Sequence, residues 1–418
     1  MSIFSHLRQK VALTLHKSER YVKTDMVYLV KEGGWLMIGQ FISLALLFLL
    51  SVVLANLLSQ ETYGNYKYVL SLAGLLSALC LSGMNTAVSR AVAQQKNNSL
   101  QSAFKTQLKW GVFQFLIVLP IAYYYFINSN HALALSMLII GSFVPLMNSA
   151  NTYTGVLTGK KEFKTFTIYN TSVSIITTLS LLVTILLTSN FIWLLFIYFL
   201  SATIANLIFY QRTIKIFNIK NEEDDETLSF GKHLSLINLL PTIAYYIDGA
   251  LIFHYLGAID LAVYNFAIAM PEQIKGFLKN IMSLTFPKFS QQSIIDIKAS
   301  IWKKNLYFTL GILIIIILYI VAAPTMYRIF FPKYLQSVYY SQIFVISLLA
   351  MSSMVSKTAL MSQTAKKSLY KLSVIAAISQ IAVTFLLILY YGILGAIISK
   401  ILMRFFDMTL SAWFIKKL

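Results

Sequence analysis

Twelve stretches of roughly twenty mainly apolar residues follow one another along this chain, each long enough to cross the hydrocarbon core of a bilayer. They fall at about 35–57, 67–90, 108–127, 132–153, 166–188, 190–211, 234–256, 261–285, 305–323, 337–357, 369–390 and 392–414. Inside lipid every backbone N–H and C=O must be satisfied within the protein, which leaves helices or closed barrels. Continuous apolar runs of this length select helices. With 58% hydrophobic and 12% charged residues, against about 25% charged in soluble domains, the expected fold is an all-α integral membrane protein.

The connections alternate in charge. Of the 34 Lys and Arg, 27 fall on the side that carries the N-terminus, four are embedded in the spans, and only Lys67, Arg328 and Lys333 fall on the other side. The positive-inside rule therefore predicts that both termini are cytoplasmic. Outer connections are short, the longest at about 324–336, so no external domain is available to hold catalytic residues. A formal charge of +19 raises the question of nucleic acid. The basic residues sit between membrane spans, however, and no zinc-finger spacing or Gly-aromatic RNA-binding signature occurs, so no nucleic-acid partner is expected. The single cysteine, Cys80, excludes an internal disulfide, and the five histidines lack ligand spacing, so no metal site is expected. Residues 1–34 read as a basic, mixed segment, so the first hydrophobic helix is expected to be retained as a span. Residues 3–30 are expected to form either an amphipathic helix on the inner membrane surface or a disordered arm.

Seven ionisable residues lie inside the apolar stretches: Asp248, Glu272, Lys275, Lys279, Lys400, Arg404 and Asp407. Glu272, Lys275 and Lys279 line one face of a helix, as do Lys400, Arg404 and Asp407. Each such charge costs at least about 2.5–3.5 kcal/mol at bilayer depth, so these faces turn toward protein or a watery cavity. One reading is mutual neutralisation that stitches the bundle together. The other is a solute pathway. Pro120, Pro145, Pro241 and Pro271 also fall inside spans, where each is expected to kink its helix.

A run of five acids, 222–226, marks an expected solvated linker at 212–233. It separates an N-lobe of six spans (35–211) from a C-lobe of six (234–418), and the lobes echo each other. Leu58 and Tyr66 correspond to Leu256 and Tyr264 at an offset of 198. Thr158, Lys160 and Lys161 correspond to Thr364, Lys366 and Lys367 at an offset of 206. Six spans is an even number, so the repeats are parallel, related by an axis along the membrane normal. Two such bundles enclose a cavity at their interface and can rock about it.

Four stretches carry a family resemblance: Leu58–Tyr66, Tyr153–Lys160, Asp248–Tyr264 and Phe330–Tyr334. With the 6+6 layout they resemble the multidrug/oligosaccharidyl-lipid/polysaccharide exporter superfamily, and within it the Wzx-type flippases of bacterial surface polysaccharides. The resemblance implies a secondary transporter of the bacterial cytoplasmic membrane, not an enzyme. It would carry undecaprenyl-pyrophosphate-linked repeat units of O-antigen or capsule to the outer leaflet by alternating access. It further implies coupling to a Na⁺ or H⁺ gradient or to membrane potential, no bound cofactor, and partners among the polymerase and assembly proteins.

On that reading Lys275, Lys279, Lys400 and Arg404 are candidates to grip the pyrophosphate through charge-assisted hydrogen bonds, with Arg90 at the cavity entrance. Asp248 is a candidate counter-ion, expected to meet Lys275 or Arg404, or a carboxylate titrated by the coupling ion. Glu272 and Asp407 are expected to neutralise cations on their own helices. Tyr123–Tyr125 and Tyr245–Tyr246 suit either glycan contact or the membrane interface. A multidrug exporter of the same fold is the first alternative. A membrane polysaccharide polymerase, which needs an external loop, is the second.

Overall fold

The structure, a computed structural model, describes residues 26–96, 99–220, 224–283, 294–352 and 366–416. All regular structure in these segments is helical. The first half comprises α1 (Met26–Leu57), α2 (Gln60–Ser77), α3 (Met84–Ala93), α4 (Ser99–Ile127), α5 (His131–Ala150), α6 (Tyr153–Gly159), α7 (Phe163–Leu187) and α8 (Phe191–Phe217). The second half comprises α9 (Asp225–Leu256), α10 (Ala258–Ser283), α11 (Ile294–Phe330), a 3-10 turn (Pro332–Tyr334), α12 (Ser337–Phe344), a 3-10 segment (Val345–Ser352) and α13 (Lys366–Lys416).

Among the described residues, 8 helices are long and apolar enough to span a membrane. The expected spans that fall short do so for identifiable reasons. The span expected at 67–90 is two helices, because the chain leaves helical geometry at 78–83, where Leu81 has φ 52°. The α10 helix carries Asp260, Glu272, Lys275 and Lys279, which lower its apolarity. The span expected at 337–357 starts as the eight-residue α12 and tightens into 3-10 geometry. The α13 helix contains both of the last two expected spans, which meet at Gly392 (φ 57°, ψ −134°), a conformation open to glycine. The four prolines noted above all lie inside helices that continue past them.

The acidic run is not a free linker. The α8 helix extends to Phe217, where Asn218 closes it in the left-handed conformation. The α9 helix begins at Asp225, so only 218–224 separates the halves, and 221–223 lies outside the described residues. Asp224 caps α9 by accepting from the Thr227 N–H at 3.0 Å and the Thr227 hydroxyl at 2.6 Å. Asp225 and Glu226 then occupy the first turn, where the helix dipole favours acids. Most of the expected helix at 3–30, and the start of the second Lys-Lys repeat at Thr364, also lie outside the described residues.

The halves join along α2, α3 and α9, which run antiparallel. Ser71 lies against Gly249, Gly74 against Tyr246, and Gly83 against Gly231 and Ser235. Beyond α3, the Lys96 ammonium donates to Glu226 at 2.5 Å on the surface. At the opposite end, an aromatic core closes the junction: Tyr63 stacks on Phe266 at 4.7 Å, and Phe266 meets the fully buried Tyr334 at 4.0 Å.

Candidate functional site

Three helices of the second half bring the embedded charges together. Proline at 241 falls in the middle of α9; one turn further on Ala244 and Tyr245 meet α13, and two turns on Asp248 meets both α10 and α13. The i, i+3 spacing of α10 sets Glu272 beside Lys275, whose ammonium donates to the Glu272 carboxylate at 3.2 Å. The i, i+4 and i+7 spacing of α13 sets Lys400, Arg404 and Asp407 on its facing stripe.

Two linked ion-pair groups result. In the first, Lys400 and the Tyr264 hydroxyl both donate to the Asp248 carboxylate, and Lys400 also donates to the Tyr264 oxygen at 3.0 Å. Asp248 is 8% exposed. Its second oxygen accepts from the Gly249 N–H at 2.8 Å, so a buried carboxylate has partners on both oxygens, as burial of a charge demands. In the second group, Arg404 donates one nitrogen to Glu272 and another to the Ser347 hydroxyl at 2.7 Å. Its guanidinium lies 4.8 Å from the Phe344 ring centroid. Glu272 thus joins Lys275 on its own helix to Arg404 on α13.

The groups flank a pocket of about 250 Å³ whose walls include Pro241, Tyr245, Gln380, Lys275, Lys400, Arg404 and Asp407. Its charged lining is three cations and one carboxylate, while Asp248 and Glu272 lie behind it. Asp407 faces the space, whereas Asp248 and Glu272 pair with the cations from outside the lining. Lys275 is the most accessible of the three paired cations that line the pocket, with a third of its side chain exposed.

Several expectations change. Asp248 meets Lys400, not Lys275 or Arg404, because α13 places Lys400 level with it. Glu272 neutralises Lys275 within its helix as expected, but it also serves Arg404 across the interface. Lys279 is exposed and lies apart from the pocket lining. Arg90 is elsewhere: its guanidinium lies 4.5 Å from the Phe230 ring centroid, in a small cleft it shares with Lys96 and Glu226. Sequence reasoning missed Tyr264 and Ser347 as partners. Tyr264 had a signal, since it matched Tyr66 in the repeat, but Ser347 had none.

The helical architecture that holds these charges is similar to that of solved MOP-superfamily proteins. The inward-facing conformation of a multidrug resistance MATE family transporter of the MOP superfamily aligns with TM-score 0.67 at 12% identity, covering 90% of this chain and 95% of that one. The lipid II flippase MurJ, in an inward closed conformation, gives 0.64 at 13% identity over 91% and 87%. A MOP superfamily transporter from Pyrococcus furiosus, described as having reverse polarity of its binding pocket, gives 0.63 at 12% over 93% and 96%. In sequence, residues 29–293 match the family model for polysaccharide biosynthesis proteins. The chain belongs to that family, and the match supports its resemblance to Wzx-type flippases. No curated protein matches the sequence.

Proposed function

We propose that the protein is a flippase for undecaprenyl-pyrophosphate-linked oligosaccharide, moving it from the cytoplasmic to the outer leaflet of the bacterial inner membrane for O-antigen or capsule synthesis. The observation that carries this reading is the pocket lined by Lys275, Lys400 and Arg404. A pyrophosphate must shed water to cross a region of low dielectric, and preorganised cations replace part of that hydration. Arginine adds a planar donor fork suited to phosphate oxygens.

On this reading the chain makes twelve crossings in two parallel six-span lobes, with both termini cytoplasmic. The α1 helix supports a cytoplasm-facing state: among the described residues, its hydrogen bonds and ring contacts with the second half gather at Phe48 and Asn56 in its last third and at Leu58 just beyond it. A Na⁺ or H⁺ gradient, or membrane potential, drives the return. Polymerase and assembly proteins would receive the product.

The same fold serves multidrug export, but a lining of three cations and one carboxylate suits an anionic headgroup better than a cationic drug. Reconstituted vesicles loaded with lipid-linked repeat units separate the two. Lys275→Gln and Arg404→Gln should each slow flipping at least about tenfold, a loss of about 1.4 kcal/mol in transition-state stabilisation. Undiminished flipping in both well-inserted variants, or efflux of ethidium by the wild type, would remove the proposal.

A further inference from the structure

A second pocket shares a wall with the charged one. Pro241 and Tyr245 line both. The remaining residues of the second pocket are Ser77, Ser82, Asn238, Thr242 and Tyr246, around a volume of about 400 Å³. None is charged. The volume falls in the range of small-molecule sites, about 300–1,000 Å³.

The pocket forms where α2 gives way to α3. Ser77 ends α2 and Ser82 lies in the non-helical stretch. That stretch is held by neighbouring helices: the Gln107 amide donates to the Cys80 and Leu81 carbonyls at 3.1 and 3.0 Å. The Gly83 N–H donates to the Ser235 hydroxyl at 2.9 Å. Irregular backbone at bilayer depth is tolerated where protein or a water-filled cavity receives it, and both conditions meet here.

The two tyrosines supply the aromatic surface. The Tyr246 ring rests on α2 at Gly74, where a Cβ would lie 2.4 Å from it. Tyr245 stands at right angles to Tyr246, with centroids 4.8 Å apart and planes at 86°. On its other side Lys400 lies 5.9 Å from the Tyr245 centroid. Tyr245 therefore divides an ionic compartment from a neutral one. The Ser77 and Thr242 hydroxyls donate to the Gly74 and Asn238 carbonyls at 2.6 and 2.8 Å and keep lone pairs to accept from a polyol. A carboxamide both donates and accepts, and an aromatic face covers the apolar C–H side of a sugar ring. No hydrogen bond among the described residues occupies the Asn238 carboxamide.

We infer that Ser77, Ser82, Asn238, Thr242 and the Tyr245–Tyr246 pair form a saccharide subsite for the first sugar of the transported glycan. The inference rests on the flippase reading, and the adjacency of the two pockets deepens it. In a lipid-linked glycan the first sugar is bonded directly to the pyrophosphate, so a sugar site must abut an anion site.

The test is binding to the purified protein in nanodiscs, read by native mass spectrometry, with two probes. One is undecaprenyl pyrophosphate, and the other is the lipid-linked repeat unit extracted from cells that make this protein. Wild type should prefer the glycosylated probe. Asn238→Ala should weaken that probe at least about tenfold while changing the bare carrier less than about twofold. Ser82→Trp, at an exposed position on the pocket wall, should do the same by filling the space, and it serves if Asn238→Ala fails to fold. A wild-type preference that survives in both variants overturns the subsite, as does equal weakening of both probes. Wild type that binds neither probe, or bare-carrier binding unmoved by Lys275→Gln and Arg404→Gln, overturns the flippase reading instead.

Discussion

Lys333, in the 3-10 turn before α12, reaches into the other half of the molecule and donates to the carbonyls of Asn56 at 2.7 Å and Leu58 at 3.1 Å. These carbonyls end α1, where a helix leaves acceptors unpaired and the dipole favours a cation. The contact is reciprocal. The Gln60 amide donates to the Lys333 carbonyl at 2.5 Å, and the Asn56 amide donates to the Phe330 carbonyl at 2.9 Å. The Phe330–Tyr334 motif is thus a clasp between halves at the end remote from Lys96 and Glu226.

If transport requires that end to open, tying the clasp shut should stop it. In a Cys80→Ala background, Gln60→Cys with Lys333→Cys should form a disulfide on oxidation and lose at least about nine-tenths of flipping activity, close to 1.4 kcal/mol in the rate. Reduction should restore it. An oxidised, fully crosslinked protein that flips at the wild-type rate would show that this end need not open.

The Asp248–Lys400 pair is buried, so removing one partner strands the other. Asp248→Asn or Lys400→Met should each lower stability by about 3–5 kcal/mol, while Asp248→Leu combined with Lys400→Met should recover most of the loss. Equilibrium unfolding in mixed micelles measures it. Additive losses in the double variant would mean that the two groups do not depend on each other.

Glu272 restrains both Lys275 and Arg404, so its neutralisation should act on ligand with the opposite sign. Glu272→Gln should bind inorganic pyrophosphate about tenfold more tightly by titration calorimetry, roughly 1.4 kcal/mol. Flipping should slow, because product release weakens. Weaker binding would place Glu272 as an organiser of the cations instead of their competitor.

The junction inside α13 depends on Gly392, whose backbone conformation other residues rarely adopt. Gly392→Ala should cost about 1–3 kcal/mol, seen as a lower melting temperature. Gly276 has open space around it, and Gly276→Ala should melt no earlier than wild type.

How much was legible follows from the range of each interaction. Long apolar runs such as α4, α8 and α11 are written in local hydropathy and were found. The interruption at 78–83 was not, because its carbonyls are received by Gln107 on another helix, and Ser82-Gly83 alone is a weak breaker. The start of α9 was readable in principle: Asp224 followed three residues later by Thr227 is a capping pattern, hidden by treating the acids as one solvated run. Within the site, the Glu272–Lys275 pair followed from spacing on one helix. The Asp248–Lys400 and Glu272–Arg404 pairs span 152 and 132 residues, and which cation meets which acid is set by the relative height of α9, α10 and α13.

The antiparallel seam of α2, α3 and α9 runs from the Gly64–Ala258 approach at one end to Lys96 and Glu226 at the other. At the opposite edge, among the described residues, the hydrogen bonds and ring contacts between the end of α1 and the second half gather at Phe48, Asn56 and Leu58. On the flippase reading, a body bound along one edge and held at one corner of the other would present a slit to the bilayer. On that reading a lipid-borne headgroup would enter the slit sideways, while its isoprenoid tail, too long to bury in these pockets, would stay in the membrane.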